Sequence, residues 1–351
     1  MRLLLPYILF FIASLAAQGK VFINHPAAKE GDEVWFRCSF ELDELPDSAS
    51  LSLTTSGYVM AYVNGRIAFP EIIWPYRPLM STTERGDSLP PLRQYARGMA
   101  TRNIEIRPLL QRGSNVVALW FAPCVDAKAL AERECWEATP DTLKGSMPHP
   151  ASIIHQVSPS LTMKYGKRSN VIADSEASWL CHIASARMTT YGEENVPSKY
   201  IDNWKSNDFN FNATWIAAEK SWTEMTRWNT LAGNDLCSAR IIEARRNQTT
   251  DSKQIFYIPY ETSGLLRVTL RSTKKNQLLT VNGMKYICAG YEDEQFFTRF
   301  ATIVTDSITI ENKSKRAFPD IQRVEMIELK QHPAETQSAT FLPTTDIYTK
   351  E

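Results

Sequence analysis

Chemistry in this chain would have to come from its cysteines, its histidines, its carboxylates or an aromatic-rich loop, and their spacing excludes most reaction classes. Cys38, Cys124, Cys135, Cys181, Cys237 and Cys288 form no C-x-x-C pair and no Cys/His cluster of metal-ligand spacing, so no metal is expected. His25, His149, His155, His182 and His332 never fall in H-E-x-x-H order. There is no G-x-S-x-G elbow and no glycine-rich loop after a strand, so no cofactor is implied. Glycoside hydrolysis needs two carboxyl groups held at a set separation across the scissile bond, and the neighbouring acids Glu193-Glu194 and Glu132/Glu134 read instead as solvated charges. Binding chemistry is what remains. In the proline-rich stretch from Pro70 to Thr101, Trp74 and Tyr76 offer rings to stack on the apolar face of a pyranose. Arg77 offers a fork of donors to hydroxyls or to a uronate carboxylate. Pro70, Pro75 and Pro78 stiffen that loop and lower the ordering cost of binding, although the same aromatics would serve equally to cap the end of a core.

The elements that must position such a loop are strands. Leu51 to Phe69 meets Asn64-Gly65 and turns back. Asn-Gly suits a type I′ hairpin turn, where both central residues need φ > 0. Leu51 and Leu53 alternate with Ser52 and Thr54 as on a half-exposed strand, and Tyr58 to Val63, apolar on both faces, predicts a central one. Val34 to Leu42 predicts the first strand, with Trp35, Arg37 and Ser39 on one face and Phe36, Cys38 and Phe40 on the other. Cys38 then sits where a small buried residue would do. Regular structure resumes at Asn103-Ile104-Glu105-Ile106. The turn Arg112 to Asn115 leads into Val116 to Phe121, and Ser152 to Tyr165 is a further strand before the turn Gly166 to Asn170. Asp126 to Glu137 is helix-like and reads as an insertion that a Cys124–Cys135 disulfide would close. Short strands with turns between them and almost no helix predict an all-β chain of two jelly-roll-like β-sandwich units.

The order of WFRCSFEL, a strand ending YVNGR, IEIRPLLQRGSNVVALWF and SLTMKYGKRSNVIADSEASW, over roughly residues 30 to 215, resembles the N-terminal β-sandwich of bacterial α-L-rhamnosidases. In that family the catalytic unit is an (α/α)6 barrel. Tyr200 to Glu219 is similar to the family segment that returns to the sandwich, and the resemblance implies that Phe211 and Trp215 pack onto it. It also implies that the family's acid and base are presented by the barrel, so no catalytic residue carries over to this chain.

The second half brings its own strands, IFYIPYETSGLLRVTL, LLTVNGMKYICAGY, RFATIVTDSITIENKS and RVEMIELK, and Asn282-Gly283 repeats the hairpin device. The expected organisation is a signal peptide over 1–17, from the apolar run after Arg2 that ends in small residues, then one sandwich over 18–240, a smaller one over 241–332 and a tail over 333–351. Export, periplasmic or secreted, follows, with no transmembrane segment after cleavage. Lys plus Arg and Asp plus Glu both count 39, so no global field draws in nucleic acid. The expected function is non-catalytic recognition of carbohydrate, with a glycan or a carbohydrate-active enzyme as partner. The alternatives are the N-terminal portion of a split or truncated rhamnosidase, or an adhesive or assembly scaffold.

Overall fold

The computed structural model describes residues 19–29, 31–55, 57–68, 99–123, 140, 142, 157–189, 191–210, 214–224, 230–231 and 236–331. The leader, Trp74, Tyr76, Arg77, Cys124, Cys135, the helix-like insertion, Phe211 and the tail lie outside the described residues.

The first half contributes β1 (Gly19–Asn24), β2 (Asp32–Leu42), β3 (Ser48–Thr55), β4 (Tyr58–Val63), β5 (Arg66–Ile67), β6 (Met99–Glu105), β7 (Gly113–Ala122), β8 (Val157–Tyr165), β9 (Arg168–Val171), β10 (Leu180–Thr189), β11 (Gly192–Asn195), β12 (Ile216–Ala217), β13 (Glu219–Glu224) and β14 (Thr230–Leu231). The second adds β15 (Leu236–Glu243), β16 (Arg245–Thr249), β17 (Lys253–Arg271), β18 (Leu278–Val281), β19 (Met284–Ile287), β20 (Asp293–Phe297), β21 (Ile303–Asn312) and β22 (Asp320–Gln331). Apart from the single-turn 3-10 helices Arg107–Leu109 and Pro197–Lys199 and the single helical residue Thr142, the regular structure of the described residues is strand, and the chain is all-β.

One sheet runs β13-β1-β8-β3-β6-β14, with β9 on β8. The other runs β15-β22-β17-β21-β18-β19-β11-β10-β2-β7-β4-β5. Alternation decides which side each residue faces. On β2, Phe36 and Cys38 join Leu51, Leu53, Val117, Leu119, Leu161 and Trp179 between the two sheets. Trp35 faces the other way, into a second core with Trp120, Tyr58, Trp204 and Trp215 that continues into Leu266, Phe296, Phe300 and Ile310. Because β2, β7 and β4 are covered on both faces, they carry apolar runs such as VVALWFA instead of a half-polar pattern. The second core therefore draws on strands from both halves. Their sheets join where Asn195 pairs in parallel with Tyr286.

Both Asn-Gly turns form as the sequence predicts, with φ of 51° and 78° at Asn64-Gly65 and 46° and 85° at Asn282-Gly283. Each asparagine also bonds the next strand through its side chain. Val116 N–H donates to Asn64 Oδ1 at 2.9 Å and Thr309 N–H to Asn282 Oδ1 at 2.7 Å. Three boundaries differ from expectation. The return strand after Asn64-Gly65 pairs for only two residues, and β3 and β4 lie in different sheets. They are separated at Gly57, where a Cβ would lie 2.2 Å from the Ala122 carbonyl oxygen. Gly19–Asn24 is a strand ahead of the expected first one, because Lys220 to Glu224 supplies its partner. Met99 to Thr101, expected as loop, is strand: Ala100 and Thr101 pair with Thr55 and Thr54 of β3, and Met99 pairs with Thr230.

Cys38, Cys181 and Cys288 are free and buried. Burial pushes their thiols up, to about 11 at Cys38 and about 12 at the other two, so they behave as small apolar residues.

Candidate functional site

Trp74, Tyr76 and Arg77 lie between Ala68 and Met99, outside the described residues. The flanks of that stretch are Ala68, whose N–H donates to the Ala61 carbonyl of β4 at 2.8 Å, and Ala100, which pairs with Thr55 at the end of β3.

A groove of about 750 Å³ opens at the opposite end, where Ser48 and Ser50 begin β3 and Glu105 ends β6. Its walls are the end of β2 with the connection to β3, and the β8–β9 hairpin. Tyr165, Arg168 and Asn170 face Glu41, Asp43, Glu44 and Asp47 across it. The sequence builds it from two turns. Gly166, at φ 58°, closes the hairpin, and its N–H donates to Asp47 Oδ2 at 2.6 Å. Asp47 N–H donates back to the Lys164 carbonyl at 2.8 Å. The Tyr165 hydroxyl donates to the Glu44 carbonyl at 3.4 Å. Partial burial, then the charges of Glu44 and Asp43, raise the pKa of that phenol, so it stays a neutral donor. The groove thus sets carboxylate acceptors, a guanidinium, an amide and a phenol ring around one space. That is the mix which binds sugar hydroxyls and ring faces. Sequence reading marked the Gly166 to Asn170 turn but not its partner on the β2–β3 connection, since about 120 residues separate them.

The deeply buried carboxylates do not line this groove. Glu193, read from sequence as solvated, has no exposed surface: its Oε2 accepts backbone N–H groups from Arg299 (2.6 Å), Phe300 (2.9 Å) and Ala301 (3.4 Å). The correction arises because its partners come from a segment more than a hundred residues away. Burial raises its pKa, while those amides and the Arg299 charge oppose the rise. Glu294 accepts Thr273 Oγ1, Tyr286 OH and the backbone N–H groups of Ala289, Gly290 and Tyr291. Glu33 Oε2 accepts the Trp120 indole N–H at 2.6 Å. Glu193 and Glu294 are committed to backbone amides, and all three are shut away from a substrate. Trp215 is buried against Trp204, Phe209 and His182, as expected. Among the described residues no cluster of three or more His, Cys, Asp or Glu could hold a metal, and no helix is long and apolar enough to cross a membrane.

No family model matches the chain, and no curated protein does. Solved structures do. An α-L-rhamnosidase from Dictyoglumus thermophilum aligns with a TM-score of 0.64 at 12% identity, covering 90% of this chain and 36% of that one. One from Aspergillus terreus gives 0.62 at 14%, covering 89% and 36%. One from Streptomyces avermitilis, complexed with L-rhamnose, gives 0.59 at 15%, covering 86% and 29%. The fold is that of the N-terminal third of these rhamnosidases. The chain spans about a third of their length, and the likeness fixes its fold.

Proposed function

We propose that this chain is an exported, non-catalytic carbohydrate-recognition protein that takes a glycan, in the first instance a rhamnose-containing one, in the groove between the β2–β3 connection and the β8–β9 hairpin. The observation that carries the reading is the groove itself. Acceptors, donors and a ring converge there on a space large enough for a sugar residue or two, away from every fully buried carboxylate. Carboxylate pairs suit vicinal hydroxyls, Arg168 and Asn170 supply donors, and Tyr165 supplies the apolar face. The fold shared with rhamnosidases supports a carbohydrate setting by analogy.

A glycan array probed with the purified chain, followed by titration of any hit, tests this. Tyr165→Ala is expected to weaken binding by roughly fivefold, about 1 kcal/mol for one ring contact, and Arg168→Ala by a similar factor. Tyr165→Phe keeps the ring and most of the affinity. Loss of binding on Trp74→Ala or Arg77→Ala with Tyr165→Ala neutral would move the site to the Pro70 to Thr101 loop. An empty array would favour the scaffold reading. A second reading, in which the chain works with a separately supplied catalytic barrel, draws on its spanning only about a third of the rhamnosidases it matches.

A further inference from the structure

The seam between the two halves holds a charge arrangement that glycan binding does not use. Glu33 on β2 and Glu193 on β11 are both fully buried. Glu33 Oε2 accepts Trp120 Nε1–H at 2.6 Å, the Arg299 guanidinium lies 4.0 Å over that same indole, and the Arg299 backbone N–H donates to Glu193 Oε2. The remaining oxygen of each carboxyl, Oε1, is buried without a protein hydrogen-bond partner. Two buried carboxylates against one guanidinium leave an excess negative charge in a poorly solvating place. The lower-energy state keeps a proton on one of them. Three backbone amides favour the charge on Glu193, and a single neutral indole donor leaves the proton to Glu33.

We propose that Glu33 and Glu193 form a proton-operated lock on this seam. Protonated Glu33 beside ionised Glu193 holds the Arg299–Ala301 segment against β2 and β11, and loss of the Glu33 proton releases it.

The other group facing the pair is Asp32, on the same strand as Glu33; Lys205 and the Tyr62 phenol face Arg299, and the Tyr200 phenol lies by Tyr62. Burial, then the charge of Glu193, pushes Glu33 well above the ordinary carboxylate value, with Trp120 and Arg299 opposing. A carboxyl raised in the fold contributes stability that is present below its unfolded value and is lost as pH rises through the folded one. Lys205 acts oppositely. Burial and Arg299 lower it to about 7, so its contribution to stability rises with pH from there toward 10.5.

The test is hydrogen exchange at the Arg299, Phe300 and Ala301 amides of the whole chain, corrected for intrinsic rates, from about pH 5 to about pH 9. In a Lys205→Met background, which removes the opposing titration, opening is expected to increase roughly severalfold across that range as Glu33 loses its proton. Adding Glu33→Gln keeps an acceptor for Trp120, cannot ionise, and is expected to flatten the profile. A flat profile without Glu33→Gln, or an unchanged slope with it, overturns the lock. If the double variant does not fold, the infrared C=O stretch of a protonated carboxylic acid in the native chain decides. A band that persists above the ordinary carboxylate range and titrates with the amide opening supports the lock, and the absence of any such band refutes it.

Discussion

Replacing Glu193 with alanine is expected to cost about 3–5 kcal/mol of folding stability, read as a fall in the urea midpoint with little change in slope. The carboxylate accepts three consecutive backbone N–H groups, at Arg299, Phe300 and Ala301, in a site with no exposed surface. Removing it strands those donors, each costing about 1–3 kcal/mol when buried unpaired, and leaves the Arg299 guanidinium without its charged neighbour. Relaxation and water entry recover part of that sum. Glu193→Gln keeps one acceptor oxygen and loses the charge, so it is expected to fall about halfway between. A loss below about 1 kcal/mol for the alanine variant would show that the seam is solvated and the amides satisfied elsewhere.

The second large effect belongs to Trp204. Its ring stacks on Trp35 with centroids 4.9 Å apart, meets Trp120 edge-on at 6.1 Å and lies 6.2 Å from Trp215. The segment carrying it is pinned from β2, where Arg37 Nη1 donates to the carbonyls of Trp204 and Ser206, both at 2.7 Å. Those bonds go to backbone and survive truncation of the ring, so Trp204→Ala opens a cavity the pinned chain cannot easily collapse into. The expected cost is about 3–5 kcal/mol. Trp222, 62% exposed on β13, is the control: its alanine variant should change stability by less than about 0.5 kcal/mol. Similar losses at both positions would mean that the second core is not the packed unit described.

What could be read from the sequence was what local pattern controls. The period of two on β2 put Phe36 and Cys38 against one core and Trp35 against the other, and Asn-Gly announced both left-handed turns before any partner strand was known. The order of strand motifs led to the fold. Glu193 was misread because GEEN looks like a solvated hairpin. Nothing local in it shows that three amides more than a hundred residues away will enclose that side chain. The groove escaped for the same reason: ELDEL and YGKRSN are ordinary turns until β3 and β8 pair and bring them face to face. Gly19–Asn24 was missed because six residues abutting an apolar leader become a strand only when Lys220 to Glu224 returns beside them.

The most direct trial is equilibrium dialysis of the purified chain against a rhamnose-containing oligosaccharide, with the sugar recovered and weighed by mass spectrometry. The account predicts that sugar is retained by the native chain, retained less by Tyr165→Ala, and recovered intact. Failure to retain any sugar would contradict it. So would recovery of cleaved sugar from the native chain but intact sugar from Glu33→Gln, since that would place catalysis on a carboxyl assigned here to the seam.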